Sequence, residues 1–359
     1  MNTSLSWIKA YVPELQCTDQ EYMDAMTLTG TKVEGYARRD KNLEKIVVGQ
    51  IKSIAPHPDA DKLIVCQVDV GAETLQIVTG AHNVKEGDKV LVARNCHICI
   101  YNGLILTGAK SVWFTGEYDE DFGLFKGITL KDVEMAYQPD IKALIITSPT
   151  YAGICSEIKE IAEFCKEKNI IFIVDEAHGA LLPFCEKLPK SAIELGADAC
   201  VQSLHKNTPA LNGSALLHLS KNSKISDDKI QASLNIINST SPSFLILSSI
   251  EEAIDYLNSK IGRNKLDNLI KNIDEFKKEY KNAEFLTEKN NDITKLVFKV
   301  EGASGEELAD ILNKNNIEEE FCTETAAICI TNLAVSKKQL NKLKKVIEKI
   351  KPKSAKKTY

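Results

Sequence analysis

Apolar residues recur along this chain in three successive rhythms. In the first, they fall at helical spacing in 4–12 and 19–28, with Asp19 placed to cap the second segment and Glu21 and Asp24 in its first turn. Short β-branched runs follow at 46–54, 63–70, 74–79 and 89–93, separated by Pro56, Pro58, Gly71 and the glycines of 80–87. That spacing predicts a small β-barrel or its greater part.

From about residue 95 the rhythm changes to continuous apolar runs alternating with amphipathic segments. The runs are 143–147, 170–174 and 199–202; the helical segments are 156–168 and a short one near 191–195. Strands without polar alternation need cover on both faces, so the pattern predicts βαβ units and a mainly parallel sheet. The third rhythm, 262–351, predicts a smaller α+β domain. It has strands at 295–300 and 326–331 and helices at 305–314 and 337–350, opened by the capping boxes Ser304-Gly-Glu-Glu307 and Ser336-Lys-Lys-Gln339. Leu340, Leu343, Ile347 and Ile350 give the last helix an apolar stripe. The ten lysines between Lys337 and Lys357 read as a solvated helix face and a basic tail at 352–359. The expected domains are therefore 1–93, 94–261 and 262–351, an α/β architecture preceded by a partial barrel.

Composition narrows the class. The chain has 359 residues, is 43% hydrophobic and 26% charged, and carries a formal net charge of -5. No apolar run approaches the roughly 20 residues of a membrane-spanning helix, and the N-terminus lacks the basic-then-apolar order of a secretion signal, so a cytoplasmic protein is expected. The ten cysteines are scattered through apolar segments and read as small buried hydrophobes. Cys96 and Cys99 form one tight pair, but a structural zinc needs four ligands and no second pair lies at suitable spacing, so no metal is expected.

The candidate chemistry lies at the ends of the expected parallel strands, where open α/β sheets bind their ligands. The first run ends in Thr147-Ser-Pro-Thr-Tyr151, the second in Asp175-Glu-Ala-His-Gly179 and the third in Ser203-Leu-His-Lys206. A carboxylate, a histidine and a lysine would then share one crevice. Such a lysine can form a Schiff base, and such a carboxylate can keep a pyridine nitrogen protonated, which is the protein half of a pyridoxal phosphate site. Taken singly, Asp175 is better explained as a helix cap and Lys206 as a surface residue; together they favour the cofactor.

Several stretches between about 94 and 350 resemble the ornithine/lysine/arginine decarboxylases of pyridoxal phosphate fold type I. They are Arg94-Asn-Cys-His97, Tyr101-Asn-Gly-Leu-Ile-Leu-Thr-Gly-Ala-Lys110, Thr147-Ser-Pro-Thr-Tyr151, Ile173-Val-Asp-Glu-Ala-His-Gly-Ala180, Ser191-Ala-Ile-Glu-Leu-Gly-Ala-Asp198, Val201-Gln-Ser-Leu-His-Lys206 and Ser239-Thr-Ser-Pro-Ser243. The resemblance implies that Lys206 forms the Schiff base with pyridoxal 5'-phosphate and that Asp175 pairs with its ring nitrogen. It also implies that His97 stacks on the ring, that His178 sits near the ring oxygen, and that Ser203 and His205 reach the phosphate. Ser239 and Thr240 belong to a segment that in such enzymes approaches the neighbouring subunit's cofactor, which implies a homodimer. The implied reaction is decarboxylation of a basic amino acid to an amine; no motif marks which one.

The first 93 residues resemble a different family, the N-terminus of the bacterial phenylalanyl-tRNA synthetase beta subunit with its OB-fold tRNA-binding module. The matching stretches are Ser4-Leu-Ser-Trp-Ile-Lys9, Val47-Val-Gly49, His57-Pro-Asp-Ala-Asp-Lys-Leu63, Cys66-Gln-Val-Asp-Val70, Gln76-Ile-Val-Thr-Gly-Ala81 and Asn83-Val84. The resemblance implies a contact with tRNA, which the residues themselves make a weak one. Between Lys45 and Arg94 six Lys/Arg are offset by six Asp/Glu, and there is no Phe, Tyr or Trp for bases to stack on.

Both resemblances are partial. The OB module normally continues beyond the join at 87–92, and the decarboxylases normally carry a Gly/Ser/Thr phosphate loop upstream of the histidine at 97, where this chain has OB-like residues. After that histidine they usually have lysine and serine, whereas Ile98 and Cys99 stand here, and after Lys206 come Asn207 and Thr208. The expectation is a chimera-like fusion with reduced or lost activity; the alternatives are an inert decarboxylase-like body carrying a tRNA-binding module and a chimera with neither activity.

Overall fold

A computed structural model describes residues 5, 8–9, 12–29, 33, 35, 49–58, 60–79, 88–279 and 282–350. The expected helix at 4–12, the start of the strand at 46–54, the glycines of 80–87 and the basic tail at 352–359 lie wholly or largely outside the described residues. The chain divides into two compact units, 1–84 and 85–359.

The first unit contains α1 (Asp19–Leu28) and the strands β1 (Gln50–His57), β2 (Ala60–Asp69) and β3 (Thr74–Thr79). Thr18, rather than Asp19, caps α1. Its hydroxyl accepts from Glu21 N while Glu21 Oε2 accepts from Thr18 N, a reciprocal pair that Asp19, one residue later, has no acid positioned to complete. The strands form an antiparallel meander with β2 in the centre, where buried Cys66 lies opposite Ile54 and Ile77. Gly71, at φ 90°, makes the second turn. Among the described residues no closed barrel is formed.

The missing barrel strand lies in the second unit. β4 (Lys89–Ala93) pairs in parallel on both sides, with β5 (Lys110–Phe114) and with β8 (Ile141–Thr147). Its Leu91, Val92 and Ala93 are completely buried. A strand with no polar alternation is satisfied only where both faces are covered, which explains its place inside a large sheet.

That sheet has six strands in the order β11-β10-β9-β8-β4-β5, with β9 (Ile171–Asp175), β10 (Ala199–Gln202) and β11 (Leu216–Leu219). All neighbours are parallel except β10 and β11. Helices α2 (Ile98–Thr107), α3 (Leu130–Ala136) and α4 (Ile158–Glu167) make the crossovers. Ile158, Ile161 and Cys165 of α4 pack with Leu144, Ile146, Phe172 and Val174 of the sheet. A two-stranded ribbon, β6 (Tyr118–Asp119) and β7 (Leu124–Phe125), lies between β5 and α3. Instead of the helix expected near 191–195 there is a run of turns. Ala192 N donates to the Glu176 carboxylate, and Gly196, at φ 106°, reverses the chain.

After α5 (Asp227–Ile237) and α6 (Phe244–Asn258), the long α7 (Lys260–Glu279) leads into the smaller α+β part. There β12 (Ala283–Phe285), β13 (Lys295–Val300), β14 (Phe321–Cys322) and β15 (Ala327–Ile330) form an antiparallel sheet in the order β12-β13-β15-β14. Helices α8 (Gly305–Lys314) and α9 (Lys337–Ile347) both open on the expected capping boxes. Leu266, Ile273, Phe298, Leu308, Leu340 and Ile347 share one core. Among the described residues no helix is long and apolar enough to cross a membrane.

Candidate active site

Because β4, β8, β9 and β10 run parallel, their carboxyl ends open on one edge of the sheet. Asp175 ends β9, in register with Thr147 on one side and Val201 on the other. Its backbone carbonyl accepts from Ser148 N at 3.0 Å, and its Oδ1 accepts from Ala177 N at 3.1 Å, which holds the carboxylate in the turn.

The neighbouring Glu176 points the other way, into the core. It accepts from Ala192 N at 2.7 Å, Gln202 Nε2 at 2.6 Å, Ser191 Oγ at 3.3 Å and Cys200 Sγ at 3.5 Å. Burial still pushes its carboxyl up from the ordinary value. Two consecutive acids thus have separate tasks: Glu176 anchors the turn, and Asp175 is left facing the crevice.

The turn delivers His178, only 4% exposed, to the tip of the 3-10 turn Leu204–Lys206 that follows β10. His178 Nε2 lies 3.1 Å from Lys206 Nζ. An ammonium has no lone pair, so Nε2 accepts and the ring proton sits on Nδ1. Burial, with the charges of Lys206 and Lys295, depresses the imidazole to about 3, so it is neutral at physiological pH. The Tyr151 ring stands beside both groups, 4.6 Å from the imidazole centroid and 5.9 Å from Lys206 Nζ.

The remaining expected residues are placed unequally. Ser203 begins the 3-10 turn, its N–H donating to Ala177 O and its hydroxyl unused as a cap. His205 is held by Nδ1, 2.8 Å from the Ser214 carbonyl, to which it donates. His97 is exposed and caps α2, Nδ1 accepting from Cys99 N at 3.2 Å; its charge is felt at His178. Cys99 feels the charges of Asp175 and Lys206, while burial raises its thiol. Ser239 and Thr240 lie in the exposed connection from α5 to α6, where Ser239 Oγ bonds Ser241. No described contact joins them to the other residues.

Five buried polar atoms beside this edge have no hydrogen-bond partner: Asn95 Oδ1, Thr147 Oγ1, His178 Nδ1, Asn207 Oδ1 and Ser214 Oγ. Buried polar groups are normally satisfied, so a cluster of orphans marks a place where a polar ligand completes the bonding. The set fits pyridoxal phosphate. Lys206 would hold its aldehyde, Asp175 its ring nitrogen, and the orphaned Nδ1–H and hydroxyl groups its oxygens. Among the described residues, no three His, Cys, Asp or Glu side chains converge as metal ligands.

Sequence reasoning missed Lys295, Asp292 and Asn207. Lys295 and Asn207 both donate to the His178 carbonyl. The signal in the sequence is slight, an acid and a lysine three residues apart at the start of an apolar strand.

The family model for the major domain of Orn/Lys/Arg decarboxylases matches residues 60–299. The chain belongs to this family. An uncharacterized protein of Bacillus subtilis, YaaO, is 34% identical over 266 residues, covering 71% of this chain and 55% of that protein. The arginine decarboxylase of the same organism is 30% identical over 280 residues, covering 74% and 57%. The chain thus spans little more than half the length of these relatives. A phenylalanine–tRNA ligase beta subunit of Clostridium acetobutylicum is 46% identical over 94 residues, which is 26% of this chain and 12% of that one. Among solved structures, the constitutive lysine decarboxylase of E. coli superposes with a TM-score of 0.62 at 17% identity, covering 74% of this chain and 46% of that one. Lysine decarboxylase A of Pseudomonas aeruginosa gives 0.64 at 16%, with the same coverage. At these identities the likeness shows the fold.

Proposed function

We propose that this decarboxylase-family chain removes the carboxylate of a basic amino acid, ornithine, lysine or arginine, with pyridoxal 5'-phosphate as cofactor. The single observation that carries the reading is the contact of Lys206 Nζ with the neutral, buried His178 beside Asp175. When bound, the cofactor supplies an electron sink for the bond that breaks on loss of carbon dioxide. Lys206 supplies the amine that holds it, and Asp175 keeps a proton on its ring nitrogen. His178 offers Nδ1–H towards the ring oxygen, His97 covers the ring face, and Ser203 and His205 turn towards the phosphate. Ser239 and Thr240 act across a homodimer, each completing the partner's site. The location is the cytoplasm.

Activity in this chain is reduced. Ile98 and Cys99 stand where the family usually carries lysine and serine, and both are exposed at the α2 N-terminus, beside the site. Each lost charge-assisted bond to a phosphate removes roughly 1.5–3 kcal/mol of binding.

The likeness of the N-terminal residues to tRNA ligase beta subunits favours a second reading, in which they contact tRNA weakly and the remainder is inert. One experiment separates the two. Pyridoxal phosphate is added to the purified chain and to Lys206→Ala, and visible absorbance is followed by amine assays with lysine, arginine and ornithine. The first reading predicts a Lys206-dependent band and an amine. Identical spectra for the two proteins overturn it.

A further inference from the structure

Behind His178 lies a charged pair that the reading above does not use. Lys295 opens β13, Asp292 precedes it by three residues, and both side chains are completely excluded from solvent. All three donors of the Lys295 ammonium are engaged: Asp292 Oδ2 at 3.0 Å, Thr294 Oγ1 at 3.3 Å and the His178 carbonyl at 3.4 Å. Asp292 is itself held in place, its Oδ1 accepting from Thr294 N at 3.0 Å and Thr294 Oγ1 at 2.6 Å, and its backbone N–H donating to Gly153 O at 2.8 Å. Asn207 Nδ2, next to Lys206, donates to the same His178 carbonyl at 2.9 Å.

A buried ion pair is a weak stabiliser, because desolvation of the two charges offsets their attraction. Apolar side chains of equal size would fill the space as well. They could not donate to a carbonyl. We infer that Lys295, oriented by Asp292, is a positioning residue that clamps the His178 carbonyl and so holds the imidazole Nε2 against Lys206 Nζ. The clamp comes from the small α+β part, so that part is a working component of the site. The groups that face His178 are Lys206 and Asn207 from the turn after β10, Lys295 at the start of β13 and Asp292 before it, Tyr151 after β8, and His97 before α2.

The inference rests on the proposed role of Lys206 only for the last of four readouts, so the two can fail separately. The test uses the full chain without cofactor, labelled with 15N at histidine and lysine, beside the double variant Lys295→Met/Asp292→Asn. Removing both charges together leaves no unpaired ion, so the double variant should melt within about 5 °C of the wild type. Its His178 ring signals, assigned by loss in His178→Gln, should nevertheless move away from the single neutral Nδ1–H form that the wild type shows between about pH 6 and 8. In the wild type itself, a lysine ammonium signal protected from exchange should report Lys295 and vanish in the double variant. The last readout is the rate at which the Lys206-dependent band forms with added pyridoxal phosphate, expected to fall about tenfold.

A double variant with unchanged His178 signals overturns the inference, and so does a wild type with no protected lysine ammonium, even if the double variant fails to fold. If the wild type forms no Lys206-dependent band, the cofactor reading falls and the histidine and lysine spectra still decide the clamp.

Discussion

The depressed imidazole of His178 makes a quantitative prediction about acid stability. In the unfolded chain the ring regains its ordinary value of 6.5, whereas in the folded protein it is held at about 3. The unfolded state therefore takes up the proton first. Stability that the neutral ring holds at neutral pH is lost progressively as pH falls from 6.5 towards 3. At about pH 4.5, two units below the unfolded value, the loss through this residue is about 2.7 kcal/mol at roughly 1.4 kcal/mol per unit. The folded value lies well below that pH, so the figure is set almost wholly by the unfolded one. The comparison is urea unfolding of the wild type and His178→Gln at about pH 7.5 and about pH 4.5. Losses common to the carboxylates cancel between the proteins, and the wild type should lose about 2 to 3 kcal/mol more on acidification. Equal losses in the two proteins would refute the neutral, buried histidine and with it the Nδ1–H tautomer.

Three further outcomes are expected. Glu176→Ala strands the Ala192 N–H and the Gln202 amide, and should cost about 3–5 kcal/mol in chemical denaturation, with Glu176→Gln milder because the amide keeps one acceptor. Restoring the residues usual in the family with Ile98→Lys/Cys99→Ser should tighten pyridoxal phosphate binding by about tenfold or more in an absorbance titration, and unchanged affinity would remove the explanation offered for reduced activity. In the native chain a thiol reagent should spare Cys165 and Cys329, whose buried thiols are pushed up to about 12, and should modify the exposed Cys99 well before them, as peptide mapping after brief labelling would show.

The parallel sheet was legible because its strands are unbroken apolar runs, and the chain adds or removes only a residue or two at the ends of 143–147 and 170–174 and keeps 199–202 unchanged. The meeting of His178 with Lys206 followed from the same fact, since residues just past neighbouring parallel strands must share an edge. β4 was misplaced because Lys-Val-Leu-Val-Ala suits any short strand, and its sheet is chosen by pairing with β8, some fifty residues on. The turns at 191–195 depend on a carboxylate from β9's turn that no local pattern announces. The pair Asp292–Lys295 was invisible for the same reason, its partner lying 117 residues away. Ser239 and Thr240 were named by motif alone, and within one chain they stay in an exposed connection.

The interior position of β4 also governs the order in which this sheet can be assembled during synthesis. β4 leaves the ribosome before either neighbour, finds β5 after one short helix, and must then wait for β8, which begins at Ile141, before its other side is closed. At about 5–20 residues per second that interval is several seconds, during which three of the most deeply buried residues of the sheet, Leu91, Val92 and Ala93, flank an open hydrogen-bonding edge. For that time the nascent chain is a template for pairing with other chains, so its yield on expression should depend on translation speed across residues 94–147 and on chaperone supply.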